Sequence, residues 1–286
     1  VRWNGMDSNG GKERLIPHSR PFLGEEEAEA AARVVRSGHV AQGEEVRRFE
    51  ARVTEYLGVP HAVAVSSGTA ALHLTLLAMG IGPGDEVIFP SYVCTALLNA
   101  VGYVGATPVP ADVGGRSGNI DPEDVRARIT GSTRAVIVPH LFGRPVDLDA
   151  LLDLGIPVIE DCAQSIGATY DGAPTGSFGT AAIFSFYATK VMTTGDGGLV
   201  ATRSRKIADA VRGLRAYDKQ KVYEIRYNCK MTDIQAAVGA VQLDRLPALI
   251  QRRKRIAAEY FRRFSGLPVK LPAESPGHIY YRYVLD

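Results

Sequence analysis

HAVAVSSGTAALHLTLLAM, residues 61–79, is the stretch that decides the fold. Ala62 to Val65 are small or β-branched, as in a buried strand. Ser66-Ser67-Gly68-Thr69 interrupts the run, and Ala70 to Met79 is rich in strong helix formers. A strand that passes into a helix through serine and glycine is the opening unit of a β-α fold.

The same alternation continues to about residue 202. Strand-like EVIF (86–89), PVPADV (108–113), AVIVPHLF (135–142), PVIED (157–161), AAIFSFY (181–187) and GLVAT (198–202) are interleaved with helix-like TALLNAVGYV (95–104), DPEDVRARI (121–129) and DLDALLDL (147–154). Most of these strands are apolar on both faces, which suits a sheet covered by helices on each side. The expectation is an α/β fold with a mostly parallel, doubly wound central sheet. Asp121-Pro122-Glu123 supplies a capping acid, a first-turn proline and a second acid, and reads as a structural helix start.

Outside this core, GEEEAEAAARVV (24–35) and EEVRRFEARVTEYLG (44–58) are amphipathic helices, the second with Val46, Phe49, Val53 and Leu57 on one face. A long helix is expected from Thr232 to about Phe264, with Pro247 as a point where it can bend. GLPVKLP (266–272) breaks the chain, and HIYYRYVLD (278–286) reads as a new strand. The expected organisation is a loose arm over 1–15, a large domain over 16–245, and over 246–286 a connecting helix with the start of an incomplete small C-terminal domain.

Of the 286 residues, 45% are hydrophobic and 22% charged, ordinary for a globular chain. Thirty-three basic residues offset 31 acidic ones, a net charge of +2, so nothing in the balance suggests nucleic acid or a membrane surface as a partner. The basic run at 251–255 is most simply a solvated helix face. Cys94, Cys162 and Cys229 are odd in number and form no C-x-x-C pair, consistent with a reduced, cytoplasmic setting. The histidines make no ligand cluster, and no metal is expected.

Three features carry chemistry. Ser66-Ser67-Gly68-Thr69-Ala70 offers free backbone N–H groups at a helix start, a site for a phosphate, although the plainer reading is a simple cap. Glu160-Asp161 ends a buried strand, where a carboxylate needs a cationic or hydrogen-bonding partner, and a structural ion pair would also serve. Lys190 follows the apolar strand FSFY, where desolvation would make its amine a nucleophile toward an aldehyde; a random lysine would merely snorkel. Convergence raises the sharper readings, because all three sit at the carboxyl ends of strands, where open α/β sheets bind ligands. A phosphate cradle, a carboxylate for a ring nitrogen and an imine-forming lysine are the parts that pyridoxal 5′-phosphate (PLP) requires of a protein.

Six stretches carry a resemblance to a known family. They are IPHSRPFLGEEE with GHVAQGEEVRRFE, VSSGTAALHLTLLAMGIGPGDEVIFPS, VIEDCAQSIGA, SFGTAAIFSFYATKVMTTGDGGLVAT and YNCKMTDIQAAVGAVQLDRL. In this order they resemble the DegT/DnrJ/EryC1/StrS sugar aminotransferases, over about residues 16–286. The resemblance implies the fold-type-I architecture of PLP-dependent transferases. It also implies that Lys190 holds the cofactor covalently and shuttles protons, and that Asp161 pairs with the pyridine nitrogen. Gln164 would lie by the phenolic oxygen. Gly68, Thr69 and Ser185 would hold the phosphate, and Asn228 would reach the phosphate of a neighbouring subunit in a homodimer. The implied substrates are an amino acid donor, by analogy glutamate, and a keto-sugar nucleotide. The aromatic residue that stacks on the ring in many relatives is matched here by Cys94, with Tyr92 nearby, and is left unassigned.

Other readings are weaker. Gly80-Ile81-Gly82-Pro83-Gly84 follows a helix and opens a strand, the reverse of a dinucleotide fingerprint. Family members that act as dehydratases replace the lysine by histidine, whereas Lys190 is present. An aminocyclitol acceptor, or a non-catalytic regulator built on the same fold, stays open.

Overall fold

The computed structural model describes residues 19–115, 117–218 and 223–285. The expected arm over 1–15 lies outside them.

Two helices come first, α1 (Glu25–Ser37) and α2 (Glu44–Leu57), each ended by a left-handed glycine, Gly38 or Gly58. The β-α alternation then runs β1 (His61–Val65), α3 (Gly68–Ala78), β2 (Glu86–Pro90), α4 (Ala96–Tyr103), β3 (Thr107–Ala111), α5 (Pro122–Arg128), β4 (Thr133–Pro139), α6 (Leu148–Leu152) and β5 (Val158–Asp161). A short hairpin follows, β6 (Thr169–Tyr170) with β7 (Ala173–Pro174). After it come β8 (Ala181–Ser185), β9 (Gly198–Thr202), α7 (Arg205–Leu214) and α8 (Asp233–Phe264).

Seven strands form one sheet in the order β1-β9-β8-β5-β4-β2-β3. β8, β5, β4, β2 and β3 pair in parallel, and β9 alone runs opposite to both its neighbours. Because β9 is inverted, β1 points the same way as the parallel set. The ends of β1, β4, β5 and β8 therefore meet along one edge: Pro139 pairs with Asp161, Asp161 with Ile183, and Ser185 and Val65 both pair with Gly198. Val63, Ile88, Ile137, Ile159 and Ile183 are almost completely buried between the helix layers. Burial of side chains of this size contributes about 1.5–3 kcal/mol each before conformational entropy is subtracted.

Two contacts between distant segments fix the frame. The Asp233 carboxylate, at the start of α8, accepts from the N–H groups of Gly43, Glu45 and Val46 and so docks the start of α2. Gln242, in the first third of α8, accepts from Thr193 N–H in the loop after Lys190 and donates to Glu27, which Arg245 also holds. The position of the Lys190 loop is thus set from α1 and α8.

Two expectations change. The segment 278–285 forms no strand. It is tied instead to the turn at 141–143, with Ile279 N–H donating to Gly143 O and His278 Nε2 3.2 Å from Phe142 O, while Tyr280 adopts a left-handed φ of 51° that interrupts a ladder. Within the basic run, Arg253 turns inward and donates to the Tyr281 carbonyl, while its neighbours stay exposed. The expected long helix is present as α8, with Pro247 inside it.

Candidate active site

The carboxyl edge of the sheet gathers the residues singled out by the sequence. Ser67 caps α3, its hydroxyl accepting from Ala70 N–H at 3.1 Å, which leaves the first-turn N–H groups of Gly68 and Thr69 without intrahelical partners. A Cβ built on Gly68 would lie 2.8 Å from Ser185 Cβ and 3.2 Å from its hydroxyl. Only glycine lets the helix start approach the Ser185 hydroxyl so closely. Gly198 on β9 is similarly constrained, since a Cβ there would collide with the Ser67 carbonyl. The Ser67 cap uses the Ala70 N–H and does not occupy those of Gly68 and Thr69.

Glu160 and Asp161 point to opposite sides of β5, as successive strand residues must, and their fates diverge. Glu160 is fully buried and entirely satisfied: it accepts from the N–H groups of Gly176, Phe178 and Gly179 at 2.7–2.8 Å and lies 3.0 Å from His140 Nε2. Val146 N–H donates to His140 Nδ1, so the ring proton sits on Nε2 and is given to Glu160. Burial alone would raise the Glu160 carboxyl, yet these donors hold it below the usual glutamate value. Cys162 completes a buried trio with His140 and Glu160, but burial pushes its thiol well above the ordinary range and the other donor atoms are committed within the protein. The trio is a structural knot.

Asp161 is 7% exposed and its side chain accepts one hydrogen bond, from Ala163 N–H at 2.9 Å. Burial raises its carboxyl above the usual aspartate value, opposed by the Ala163 N–H and by the positive charge of Lys190. Lys190 lies half-buried in the turn after β8, close enough for its charge to act on Asp161, with its Nζ 5.8 Å from the centre of the Tyr281 ring. Gln164 accepts from Phe142 N–H through Oε1 at 2.9 Å, a bond that does not use its amide N–H groups. Asn228 is exposed, next to Cys229, whose carbonyl accepts from Ser66 N–H at the cradle.

Sequence reasoning missed the 141–143 turn. Phe142 holds a left-handed conformation (φ 58°, ψ 14°), which costs about 1–2 kcal/mol for a residue with a side chain. Both its backbone groups are used, the N–H by Gln164 and the carbonyl by Arg282 N–H and His278. No local motif announced it, because Gln164, His278 and Arg282 all come from distant parts of the chain.

A parallel-sheet edge carrying a helix-start cradle, a buried acid in need of a cation and a lysine within its field defines a PLP-dependent transferase. The DegT/DnrJ/EryC1/StrS aminotransferase family model matches residues 21–285, and the chain belongs to that family of PLP-dependent sugar aminotransferases. Similar solved structures include DesV from S. venezuelae, 39% identical, with a TM-score of 0.88 over 93% of this chain and 77% of that one. TlmJ, an aminotransferase from Streptoalloteichus hindustanus, is 34% identical with a TM-score of 0.91, covering 95% and 78%. Spr1654 from Streptococcus pneumoniae, solved in its PLP form, is 31% identical with a TM-score of 0.90, covering 94% and 77%.

The residues fit the cofactor. The Gly68 cradle, which a Cβ would fill, suits a phosphate, and the incompletely satisfied Asp161 suits a protonated ring nitrogen.

Proposed function

We propose that the chain transfers an amino group from an amino acid, glutamate by family analogy, to a keto group on a nucleotide-linked sugar. The observation that carries this reading is Lys190 within the electrostatic field of a buried, under-satisfied Asp161. PLP, when bound, supplies an electron sink for the bonds that break and form at the amine-bearing carbon.

The chain's own residues would do the rest. Asp161 holds a proton on the ring nitrogen by charge. Lys190 would hold the cofactor through its Nζ, and the same amine would carry the proton that the transfer moves. Gln164 donates its amide N–H to the phenolic oxygen. Gly68, Thr69 and Ser185 bind the phosphate, and Asn228 reaches the phosphate of a second copy, so the working unit is a homodimer in the cytoplasm. Residues 16–245 serve as the large cofactor-binding domain, and 246–286 as the connecting helix and a small-domain segment. Among the described residues no helix is long and apolar enough to cross a membrane.

The reaction is tested by converting the protein to its amine-loaded form with glutamate and offering a panel of keto-sugar nucleotides. A member of the panel should restore the cofactor's original absorbance and yield an amino sugar; restoration by simple keto acids alone would count against the acceptor class. The shared site predicts that Asn228→Ala, mixed with Lys190→Ala, recovers activity through hybrid dimers with one intact site. Absence of recovery while light scattering shows dimers would refute sharing through Asn228.

A further inference from the structure

Lys190 sits in a loop that is cinched at its neck. Phe186 O, just past the end of β8, accepts from the Thr193 hydroxyl at 2.9 Å and from Thr194 N–H at 3.0 Å, while Phe186 N–H donates to Gly197 O. The segment 187–192 is therefore a closed loop, and within it Lys190 N–H donates to Tyr187 O at 2.9 Å. Met192 and Thr193 are almost completely buried, so the backbone groups of the neck need partners within the protein.

One face of α8 follows this neck. Gln235, Gly239 and Gln242 recur at the i, i+4, i+7 spacing of a single helix stripe. Gln235 Nε2 donates to Asp196 O at 2.8 Å, a Cβ on Gly239 would lie 2.9 Å from Thr194 Cγ2, and Gln242 Oε1 accepts from Thr193 N–H at 3.2 Å. Without that acceptor the Thr193 N–H would be buried and unpaired, at a cost of about 1–3 kcal/mol. Met192, the apolar anchor of the same loop, is a flexible side chain that tolerates small displacements, whereas a hydrogen bond fixes direction as well as distance.

The orientation of the Gln242 amide is dictated from α1. Its Nε2 donates to Glu27 Oε1 at 2.7 Å and to Phe22 O at 3.0 Å; a carboxylate and a carbonyl only accept, so the oxygen end of the amide must face Thr193. Glu27 is buried, and burial alone would raise its carboxyl, but Gln242, Gly24 N–H and Arg245 hold it below the usual glutamate value. Arg245 reaches the two carboxylate oxygens at 2.6 and 2.7 Å. A charge on α1 fixes an amide on α8, and the amide fixes the neck of the Lys190 loop.

We propose that Gln242 is a positioning residue for the amine transfer: held in one orientation by Glu27, it fixes Thr193 and thereby the turn from which Lys190 presents its amine to the edge that carries Asp161. The inference rests on the reading of Lys190 as the reactive amine and adds what sets the geometry of that amine. A displacement of about 1 Å caused far from the chemistry can cost on the order of 10²-fold in rate, and loss of this one tether, with the packing of the loop retained, should cost on the order of tenfold.

The test compares wild type with Gln242→Met, which keeps the length of the side chain and lacks the amide, in the full chain at matched cofactor content. Three readouts are taken: hydrogen exchange of the 187–194 amides, circular dichroism of the cofactor's visible band, and the glutamate half-reaction. Exchange at Thr193 should quicken, the dichroic band should lose amplitude because the amine holds the ring less rigidly, and kcat should fall on the order of tenfold with KM for glutamate within about twofold. Glu27→Gln, which removes the charge at the far end of the relay, should move all three in the same direction by less, and it decides the matter should Gln242→Met fold poorly. Faster exchange with an unchanged dichroic band and unchanged kcat would show that the relay serves the fold alone and overturn the inference. Unchanged exchange at Thr193, or a change confined to KM, would overturn it too. A visible band that survives Lys190→Ala would instead overturn the reading of the site itself, a separate failure, since exchange at Thr193 in the cofactor-free chain reports the relay without the cofactor.

Discussion

Asp161→Asn should abolish most turnover while making the cofactor-free protein more stable. The amide keeps the acceptor for Ala163 N–H but cannot hold a proton on the ring nitrogen by charge, so the electron sink weakens. Loss of one preorganised electrostatic contact of this kind is worth on the order of 10²–10³ in rate. The stability change has the opposite sign because the ionised carboxylate is a burden in the empty site. Its pKa is raised in the fold, so the ionisation penalty is absent below the ordinary aspartate value and stability is lost as pH rises through the raised one. Removing the charge should therefore return on the order of 1 kcal/mol near neutral pH, about 2–4 °C in Tm, and nothing in acid. Melting curves of cofactor-free wild type and variant across pH, alongside single-turnover rates, check both halves. A variant less stable at neutral pH would mean that Asp161 is satisfied within the protein.

Glu160→Gln, at the adjacent position, should do the reverse. Glu160 faces three backbone N–H groups and the His140 Nε2 proton, and an amide would turn an N–H₂ group toward at least one of those donors. Removing the charge from a buried acceptor of several hydrogen bonds and setting an amide N–H₂ against one of its donors costs about 1–3 kcal/mol. The carboxyl's pKa is lowered in the fold, so its contribution is present above the ordinary glutamate value and disappears as pH falls through the lowered one. The difference in Tm between wild type and variant should accordingly be large at neutral pH and shrink in acid. A constant difference across pH would point to packing instead of charge.

These opposite expectations for adjacent acids show how far the sequence could be read. PVIED announced a buried strand ending in two carboxylates, and period-two geometry sends them to opposite faces. Which one is satisfied depends on His140, earlier in the chain, and on the 176–179 loop, later in it, and neither is part of the local pattern. The β-α rhythm, the start of α3 and the placement of Lys190 after β8 were legible because local pattern encodes them. The inversion of β9, the hairpin at 169–174 and α7 were not identified. The strand expected at HIYYRYVLD failed for a definite reason: its aromatic and β-branched residues favour extension, but hydrogen bonds to Phe142 and Gly143 and the left-handed Tyr280 bend the segment around the site. The docking of α2 on Asp233 and the hold of Gln242 on Thr193 join segments far apart in the chain, and no local pattern encodes them.

The resemblance in the sequence and the family match agree on chemistry, while the fold explains why these residues converge. An inverted β9 makes β1 parallel to β8, and this brings the Gly68 cradle to the same edge as Asp161 and Lys190.

The account depends most directly on the amine of Lys190. Cofactor-loaded protein reduced with borohydride, digested and mapped by mass spectrometry should carry the reduced cofactor on Lys190, and Lys190→Ala treated alike should carry none. Label on a different lysine, or equal label in the variant, would contradict the account.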